Sequence, residues 1–183
     1  MGKIWLTSDL HFSHNRDFLW QPRGFENIYE HNETIIKNFN EVVGWDDDLY
    51  ILGDCFLNDN EEGMKCMRRL PGRLHIIWGN HDTLTRQTLL SNEPRVIIHG
   101  YADIIKYNNY HFYLSHYPTI TTNFDDDKKF KARLFSLSGH THSKAIWQPA
   151  CESSYNVALD AHNNYPVDID IIINDLKEKY CNV

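Results

Sequence analysis

Cysteine is scarce in this chain of 183 residues, and the four present, Cys55, Cys66, Cys151 and Cys181, show no CxxC spacing. That argues against a disulfide framework and against the common cysteine zinc motifs, so the thiols read as reduced, buried and without assigned chemistry. Long apolar runs are missing as well: none approaches the roughly 18 residues that suggest a membrane helix. Met1 to Leu10 lacks the charged-then-apolar layout of a secretory signal, and the chain is expected to be soluble and cytoplasmic, with no membrane partner. Basic residues are the third deficit, with 18 Lys plus Arg against 25 Asp plus Glu and a formal charge of −7. Sequence-blind nucleic-acid binding is thereby disfavoured, because it rests on cations displacing counterions from phosphates; a local basic site stays open. There is no repeat, linker or low-complexity tract, and 42% hydrophobic residues suffice for one sizeable core, so residues 1–183 are expected to form a single domain.

What the chain has in excess is histidine, 11 in all. Their meaning depends on where strands and helices put them. Lys3 to Ser8 is a short, β-rich apolar run that ends at Asp9. Loop residues follow through Gln21-Pro22-Arg23-Gly24. Ile35, Ile36, Phe39, Val42 and Val43 then form a stripe at helical spacing, with Asn32 as the predicted N-cap and Gly44 as the stop. Leu49 to Leu52 reads as a second strand ending at Gly53-Asp54, and Glu61 to Leu70 as a second helix closed by Pro71-Gly72. A third strand, Arg73 to Trp78, ends in Gly79-Asn80-His81-Asp82, and a third helix is predicted over Thr83 to Leu90. Such alternation favours parallel strands joined by helical crossovers. The second half differs. Ala102 to Tyr107 and Tyr110 to Ser115 flank Asn108-Asn109, the signature of an antiparallel hairpin. Further strands are predicted at Arg133 to Leu137 and Asn156 to Leu159, and a last helix between Asp168 and Lys179, although Ile169, Ile171, Ile172 and Ile173 would also suit a strand. The charged stretch Asn123 to Arg133 reads as a solvated loop.

On this map the polar residues gather where apolar strands stop: Asp9 and His11, Asp54, Asn80 and His81, His116, then His140 and His142. In open α/β sheets the loops at the carboxyl ends of strands converge on one crevice, so these groups are expected to meet. They are more than one tetrahedral metal needs and too many to leave unpaired in a dry cleft. Two divalent ions account for them economically, since a carboxylate can bind two ions about 3.5–4 Å apart, a pair that clamps the attacking and leaving oxygens of a phosphoryl displacement. Imidazole, carboxylate and one amide oxygen suit Mn, Fe, Zn, Co or Ni better than Cu(I) or Ca.

Asp9-Leu10-His11, Gly53-Asp54, Gly79-Asn80-His81-Asp82, His116 and Gly139-His140-Thr141-His142 together resemble the motif set of the calcineurin-like metallophosphoesterases, in the family's order. The extended opening Ser8 to His14 (SDLHFSH) and the late Asn156 to Asp160 (NVALD) are similar to a compact bacterial and phage subgroup of that superfamily. The resemblance implies an α/β fold, a four-layer sandwich of two mixed β-sheets flanked by helices. It also implies two divalent metal ions, with Asp9, His11 and His142 on the first, Asn80, His116 and His140 on the second, and Asp54 between them. A hydroxide bridging the ions is the implied nucleophile, with its pKa lowered by both. His81 is implied to protonate the leaving oxygen or stabilise transition-state charge, and Asp82 to hold its ring or the loop.

Gly53, Gly79 and Gly139 precede ligand-type residues, where a tight turn of positive φ is expected. Of the remaining histidines, His75, His31, His99, His111 and His162 read as structural or exposed. His14 on the first loop is expected to face substrate, and Arg16, Trp20 and Arg23 on the same loop are candidates to contact a phosphate or stack on a base, weighed against an ordinary surface loop. Only 25 residues separate Asp54 from Asn80, too few for a cap domain, so the cleft is expected to be open. An open site suits phosphodiesters, nucleotides or a nucleic-acid end. Two other classes compete with a metal-dependent phosphoesterase: a non-catalytic scaffold of the same fold, and a metal-free hydrolase for which Ser115-His116 is the only superficial candidate.

Overall fold

In the computed structural model, residues 2–121, 129–149 and 151–181 are described, so residues 123–128 of the charged stretch lie outside the described residues. The chain opens with β1 (Ile4–Thr7), a single helical turn α1 (Asp17–Trp20) and the long helix α2 (Ile28–Val42). It continues as β2 (Asp48–Leu52), α3 (Asn60–Arg68), β3 (Arg73–Ile77), α4 (Leu84–Ser91) and β4 (Val96–Gly100). These four strands are parallel neighbours in chain order, as three helical crossovers require. Alternation sorts their side chains. Trp5, Leu49, Ile51 and Ile76 join a core with Ile35 and Phe39 of α2 and Met64 and Met67 of α3, whereas Leu6, Tyr50, Leu52 and Ile77 turn to the opposite face.

That opposite face is covered by a second sheet. It consists of β5 (Ala102–Tyr107), β6 (Tyr110–Ser115), β7 (Leu134–Ser138), β8 (Trp147–Gln148) and β9 (Cys151–Asn156), in the order β5-β6-β7-β9-β8. The predicted hairpin forms with Ala102 opposite Ser115 and Tyr107 opposite Tyr110. Asn108 and Asn109 both take positive φ, 48° and 67°, as a two-residue turn matching the strand twist demands. β10 (Val167–Asp168) returns antiparallel to β1, and α5 (Ile169–Cys181) follows. Ile169, Ile172, Ile173 and Leu176 recur at helical spacing and enter the core between the sheets beside Phe112, Phe135 and Tyr155. Tertiary burial thus settles the isoleucine run as helix, each such side chain contributing about 1.5–3 kcal/mol. The fold is α/β, two mixed sheets with helices, as expected.

Several boundaries differ from expectation for identifiable reasons. α2 begins at Ile28, where the Asn27 side chain accepts from the Glu30 amide at 2.9 Å, and Asn32 lies buried inside the helix. The strand predicted at Asn156 to Leu159 is β9, ending at Asn156; Ala158 then bridges Ser8 and Leu159–Ala161 form a 3-10 turn. Cys55 and Cys66 are buried, but Cys151 is half-buried and Cys181 exposed. Among the described residues no helix is long and apolar enough to cross a membrane.

Candidate metal centre

The carboxyl ends of β1, β2 and β3 point one way because the strands are parallel, and β6 and β7 are parallel to each other in the second sheet. Their loops meet along one edge. Asp9 is fully buried; its Oδ2 accepts from the His140 amide at 2.8 Å, so the loops after β1 and β7 share one carboxylate. Asp54 Oδ1 accepts from the His81 amide at 2.8 Å, tying the loop after β2 to that after β3. Asp82 binds these loops together: Oδ2 accepts from the amides of Asp54 (2.9 Å) and Gly79 (2.8 Å), and Oδ1 from Cys55 (3.1 Å). Asp82 therefore holds the loop, not the His81 ring.

The backbone here is strained in a particular way. Asp9, His11, Asp54, His140 and His142 all adopt the left-handed conformation, with φ between 49° and 72°. For side-chain-bearing residues this costs on the order of 1–3 kcal/mol each, and such outliers cluster at functional sites. The expected positive-φ turn occurs at Gly53 (φ 90°), but Gly79 and Gly139 lack it. Their requirement is space: a Cβ on Gly79 would lie 2.2 Å from Asp54 Oδ1, and one on Gly139 2.3 Å from Asp9 Oδ2. The left-handed turns belong mostly to the acidic and imidazole residues themselves.

Two overlapping groups of ligand-type atoms result, Asp9 with His11 and His142, and Asp9 with Asp54 and His116. His11 Nε2 lies 3.7 Å from Asp9 Oδ1 and 3.6 Å from Asp54 Oδ2, and His142 Nε2 lies 3.8 Å from Asp9 Oδ1. Asp54 Oδ2 is also 3.6 Å from His116 Nε2, so one carboxylate oxygen stands between both groups. His116 Nδ1 donates to the Leu52 carbonyl at 2.8 Å, which leaves Nε2 with its lone pair outward, 2.8 Å from Asn80 Oδ1 and 3.1 Å from His140 Nδ1. Burial, only partly offset by the nearby Asp9 carboxylate, pulls the His11 imidazole down to about 4, so it is neutral at pH 7. Burial also raises the Asp54 carboxyl.

These residues fit divalent ions on one observation above others. Asp9 Oδ1 and both ring nitrogens of His11 are buried and make no hydrogen bond, although buried polar atoms are nearly always partnered. A neutral imidazole keeps one N–H, so what converges without a donor is the Asp9 oxygen and the lone-pair nitrogen of His11, and such a pair is what a cation satisfies.

Behind the cluster lies a support that the sequence reading missed. Arg23 is buried: it pairs with both Asp160 oxygens (3.1 and 2.7 Å), donates to the Asp9 carbonyl at 2.8 Å, and lies 3.0 Å from His31 Nε2. It is a clamp on the first loop and not a phosphate contact. Asp160 Oδ2 is 3.1 Å from His142 Nδ1, which turns the other nitrogen, Nε2, towards Asp9. Burial opposes the charge on Asp160, yet His142 and Arg23 hold its carboxyl at about 2. The only earlier signal was Asp160 closing the NVALD motif.

Of the other predicted residues, His81 is exposed at the mouth, its ring 5.7 Å from that of His11. His14 joins the cluster, 5.3 Å from the His11 ring and 6.4 Å from that of His81. Arg16 is exposed and reaches the cluster only through its charge, one of the influences that lower His14 after burial. Trp20 is half-buried on α1. Ser115 Oγ donates to the Tyr117 carbonyl at 2.8 Å and is not engaged by His116, so the serine arrangement has no geometric basis.

No family model matches the chain. The structure is similar to that of a novel archaeal phosphodiesterase, with a TM-score of 0.50, 19% identity, and coverage of 85% of this chain and 83% of the other. It is equally similar to YfcE, a phosphoesterase from E. coli, with a TM-score of 0.50, 19% identity, and coverage of 85% and 78%. In sequence the chain is 32% identical over 181 residues to the uncharacterized protein MJ1445 of Methanocaldococcus jannaschii, covering 94% of this chain and 90% of that one. With a metallophosphoesterase fold and this likeness along nearly its whole length, the chain belongs to the family of MJ1445.

Proposed function

We propose that this chain is a metal-dependent phosphoesterase of the compact bacterial and phage kind, acting on phosphodiesters, with Asp9, His11 and His142 on one divalent ion, Asn80, His116 and His140 on a second, and Asp54 between them. The observation that carries this reading is the position of Asp54 Oδ2, 3.6 Å from both His11 and His116, beside the unpartnered Asp9 Oδ1 and His11 nitrogens. When bound, such an ion pair supplies Lewis acidity at phosphorus and acidifies a water for attack.

The chain's own residues do the rest. Asp82 and Arg23 fix the loops before substrate arrives, so little reorganisation is left for the reaction itself. The His81 backbone is anchored on both sides, its amide donating to Asp54 Oδ1 and its carbonyl accepting from Arg86 Nη1 at 2.7 Å, while the residue stands exposed at the mouth. In this reading its ring gives a proton to the departing oxygen. Asn80 and His81 are exposed, and this open mouth among the described residues supports a diester over a monoester, whose extra charge calls for enclosing groups. The expected metals are transition ions such as Mn, Fe, Zn, Co or Ni.

The test is hydrolysis of bis-p-nitrophenyl phosphate by protein stripped with a chelator and reloaded ion by ion, alongside elemental analysis. Two ions per chain with turnover are expected, manganese being the first ion to try. Two ions bound without turnover on any phosphoester would overturn the enzyme in favour of a scaffold, and turnover surviving exhaustive chelation would remove the metals from the reaction.

A further inference from the structure

The rim of the cluster carries two exposed aromatic rings on different sides. Phe18, on α1, is 68% exposed, and its ring lies 5.8 Å from that of His14, one turn earlier. Together with Leu19 and Pro22 it forms one wall of a cavity of about 250 Å³ whose other wall is His142 and Asp160. This cavity therefore opens beside the Asp9, His11 and His142 group. Tyr117 is 50% exposed, and its ring lies 4.6 Å from that of His140 and 5.2 Å from that of His116, beside the other group. Its backbone is pinned, because the Tyr117 carbonyl accepts from Ser115 Oγ at 2.8 Å and Thr119 Oγ1 at 3.0 Å. A fixed backbone holds this ring at the rim, half-open to solvent.

Single exposed aromatics need no explanation. Two rings beside one cluster, Phe18 against His14 and across a cavity from His142, Tyr117 against His140 and His116, are a different matter, since a ligand centred on the cluster would meet a flat apolar face near each group. A flat face suits a flat group, and stacking of a base on an aromatic ring is tolerant of base identity. The net charge of −7 argues against a long polyanion, whose binding depends on a track of cations.

We infer that Phe18 and Tyr117 are the two base platforms of a substrate of dinucleotide size, a phosphodiester carrying one nucleobase on each side of the phosphorus. This rests on the phosphoesterase reading and goes beyond it by naming the groups esterified to the phosphate. In the metal-loaded protein, kcat/KM for a dinucleoside phosphate is expected to exceed that for glycerophosphoethanolamine, a diester without a ring, both followed by phosphorus NMR. Phe18→Ala and Tyr117→Ala should each cut that preference about tenfold through KM, while Phe18→Tyr and Tyr117→Phe retain it. A second measurement needs no turnover: saturation transfer from the protein to the base protons of thymidine 5′-monophosphate should be strong in the native protein and fall in both alanine variants. An unchanged preference in both alanine variants, or a stronger preference for a long-chain alkyl phosphodiester, would overturn the base platforms and leave the phosphoesterase standing. Base-proton transfer that depends on both rings, with no diester hydrolysed in any metal, would instead sink the phosphoesterase and keep the base site.

Discussion

β2, β3 and the loops after them serve two histidine clusters that look alike in sequence and differ in physics. Along the strand bodies, Asp48 Oδ1 lies 2.9 Å from His75 Nε2, His75 Nδ1 lies 2.9 Å from His99 Nε2, and His99 Nδ1 lies 2.6 Å from Asp103 Oδ2. Each ring nitrogen in this line faces one partner, the His75 ring stacks on Tyr50 at 4.3 Å, and Arg73 adds a two-pronged pair to Asp48. At the strand ends, by contrast, Asp9, His11, Asp54 and His116 turn lone pairs inward and leave buried atoms unpartnered, on backbone held in the left-handed region. Every ring nitrogen of the first cluster has a protein partner, even though two neutral rings leave one of its three contacts short of a proton, whereas the second cluster leaves buried atoms with none. Abundance of histidine therefore does not mark the site; convergence without donors does.

The largest expected effect tests that distinction directly. Asp54→Asn removes a charge from the oxygen shared by both groups, while its amide bond to Asp82 keeps the loop in place. The ion content should fall below two per chain and the rate by on the order of a thousandfold, the loss expected when several kcal/mol of Lewis-acid stabilisation disappear. Asp48→Asn, in the partnered line, should leave ion content and rate unchanged. Ion loss in the Asp48 variant would erase the contrast.

Next comes the clamp. Arg23→Met would strand Asp160, whose side chain is 7% exposed, without its cation. Removing one partner of a buried pair costs about 3–5 kcal/mol, which urea denaturation of the metal-free protein would read as a lower midpoint at constant slope. His31 supplies a dependence on acidity. Burial, reinforced by Arg23, lowers its pKa to about 3, against about 6.5 in the unfolded chain. Because the folded value is the lower one, the unfolded state takes up the proton first. Stability should decline as pH falls from about 6.5 to 3, by up to about 1.4 kcal/mol per pH unit from this group. His31→Gln keeps an acceptor for Arg23 and cannot titrate, so it should flatten this part of the curve. Equal slopes in the two proteins would show that His31 is protonated in the fold.

Asp160→Asn should act more gently, since the amide oxygen still accepts from His142 while the charge that orients and polarises the ring is gone. Ion affinity at the Asp9, His11 and His142 group should drop about 10–100-fold, measured by competition with a chelator, and because the buried Arg23 loses its countercharge the urea midpoint should fall as well.

These supports explain what the sequence made legible and what it hid. Strand ends were legible because an apolar run that stops at Asp9, Asp54 or Asn80 needs a polar loop, and parallel pairing sends those loops to one edge. The hairpin was legible because Asn108-Asn109 both tolerate positive φ. Arg23 was not, since a lone arginine between Pro22 and Gly24 looks like surface, and its partner Asp160 lies 137 residues away. The start of α2 was misplaced for a related reason. His31 and Asn32 look like helix-capping or exposed residues, but both are buried: Asn32 Oδ1 lies 3.1 Å from His31 Nδ1 and accepts the Ser13 amide at 3.4 Å. The predicted strand began only at Asn156, whereas β9 starts at Cys151 and takes in the buried Ser154, whose hydroxyl lies 2.9 Å from Ser136 Oγ and 2.8 Å from Ser138 Oγ. Local pattern reports which residues leave the core; it does not report polar residues that enter it in pairs from distant segments.

The smallest effect closes the comparison on its partnered side. Two neutral imidazoles bring two protons to the three contacts that join Asp48, His75, His99 and Asp103, so the line never holds three full hydrogen bonds without an extra proton. Cutting it at His99 therefore forfeits little. Asp103, at the far end, is 36% exposed and can be hydrated in its place. His99→Gln should cost no more than about 1 kcal/mol of stability, within the net worth of one neutral hydrogen bond. Its ion content and turnover should match those of the native protein, because β4 supplies no group to the cluster at the strand ends. A loss of bound ions in this variant would mean that the two clusters communicate through β3, and the division between a partnered line and an unpartnered pocket would have to give way to a single coupled network.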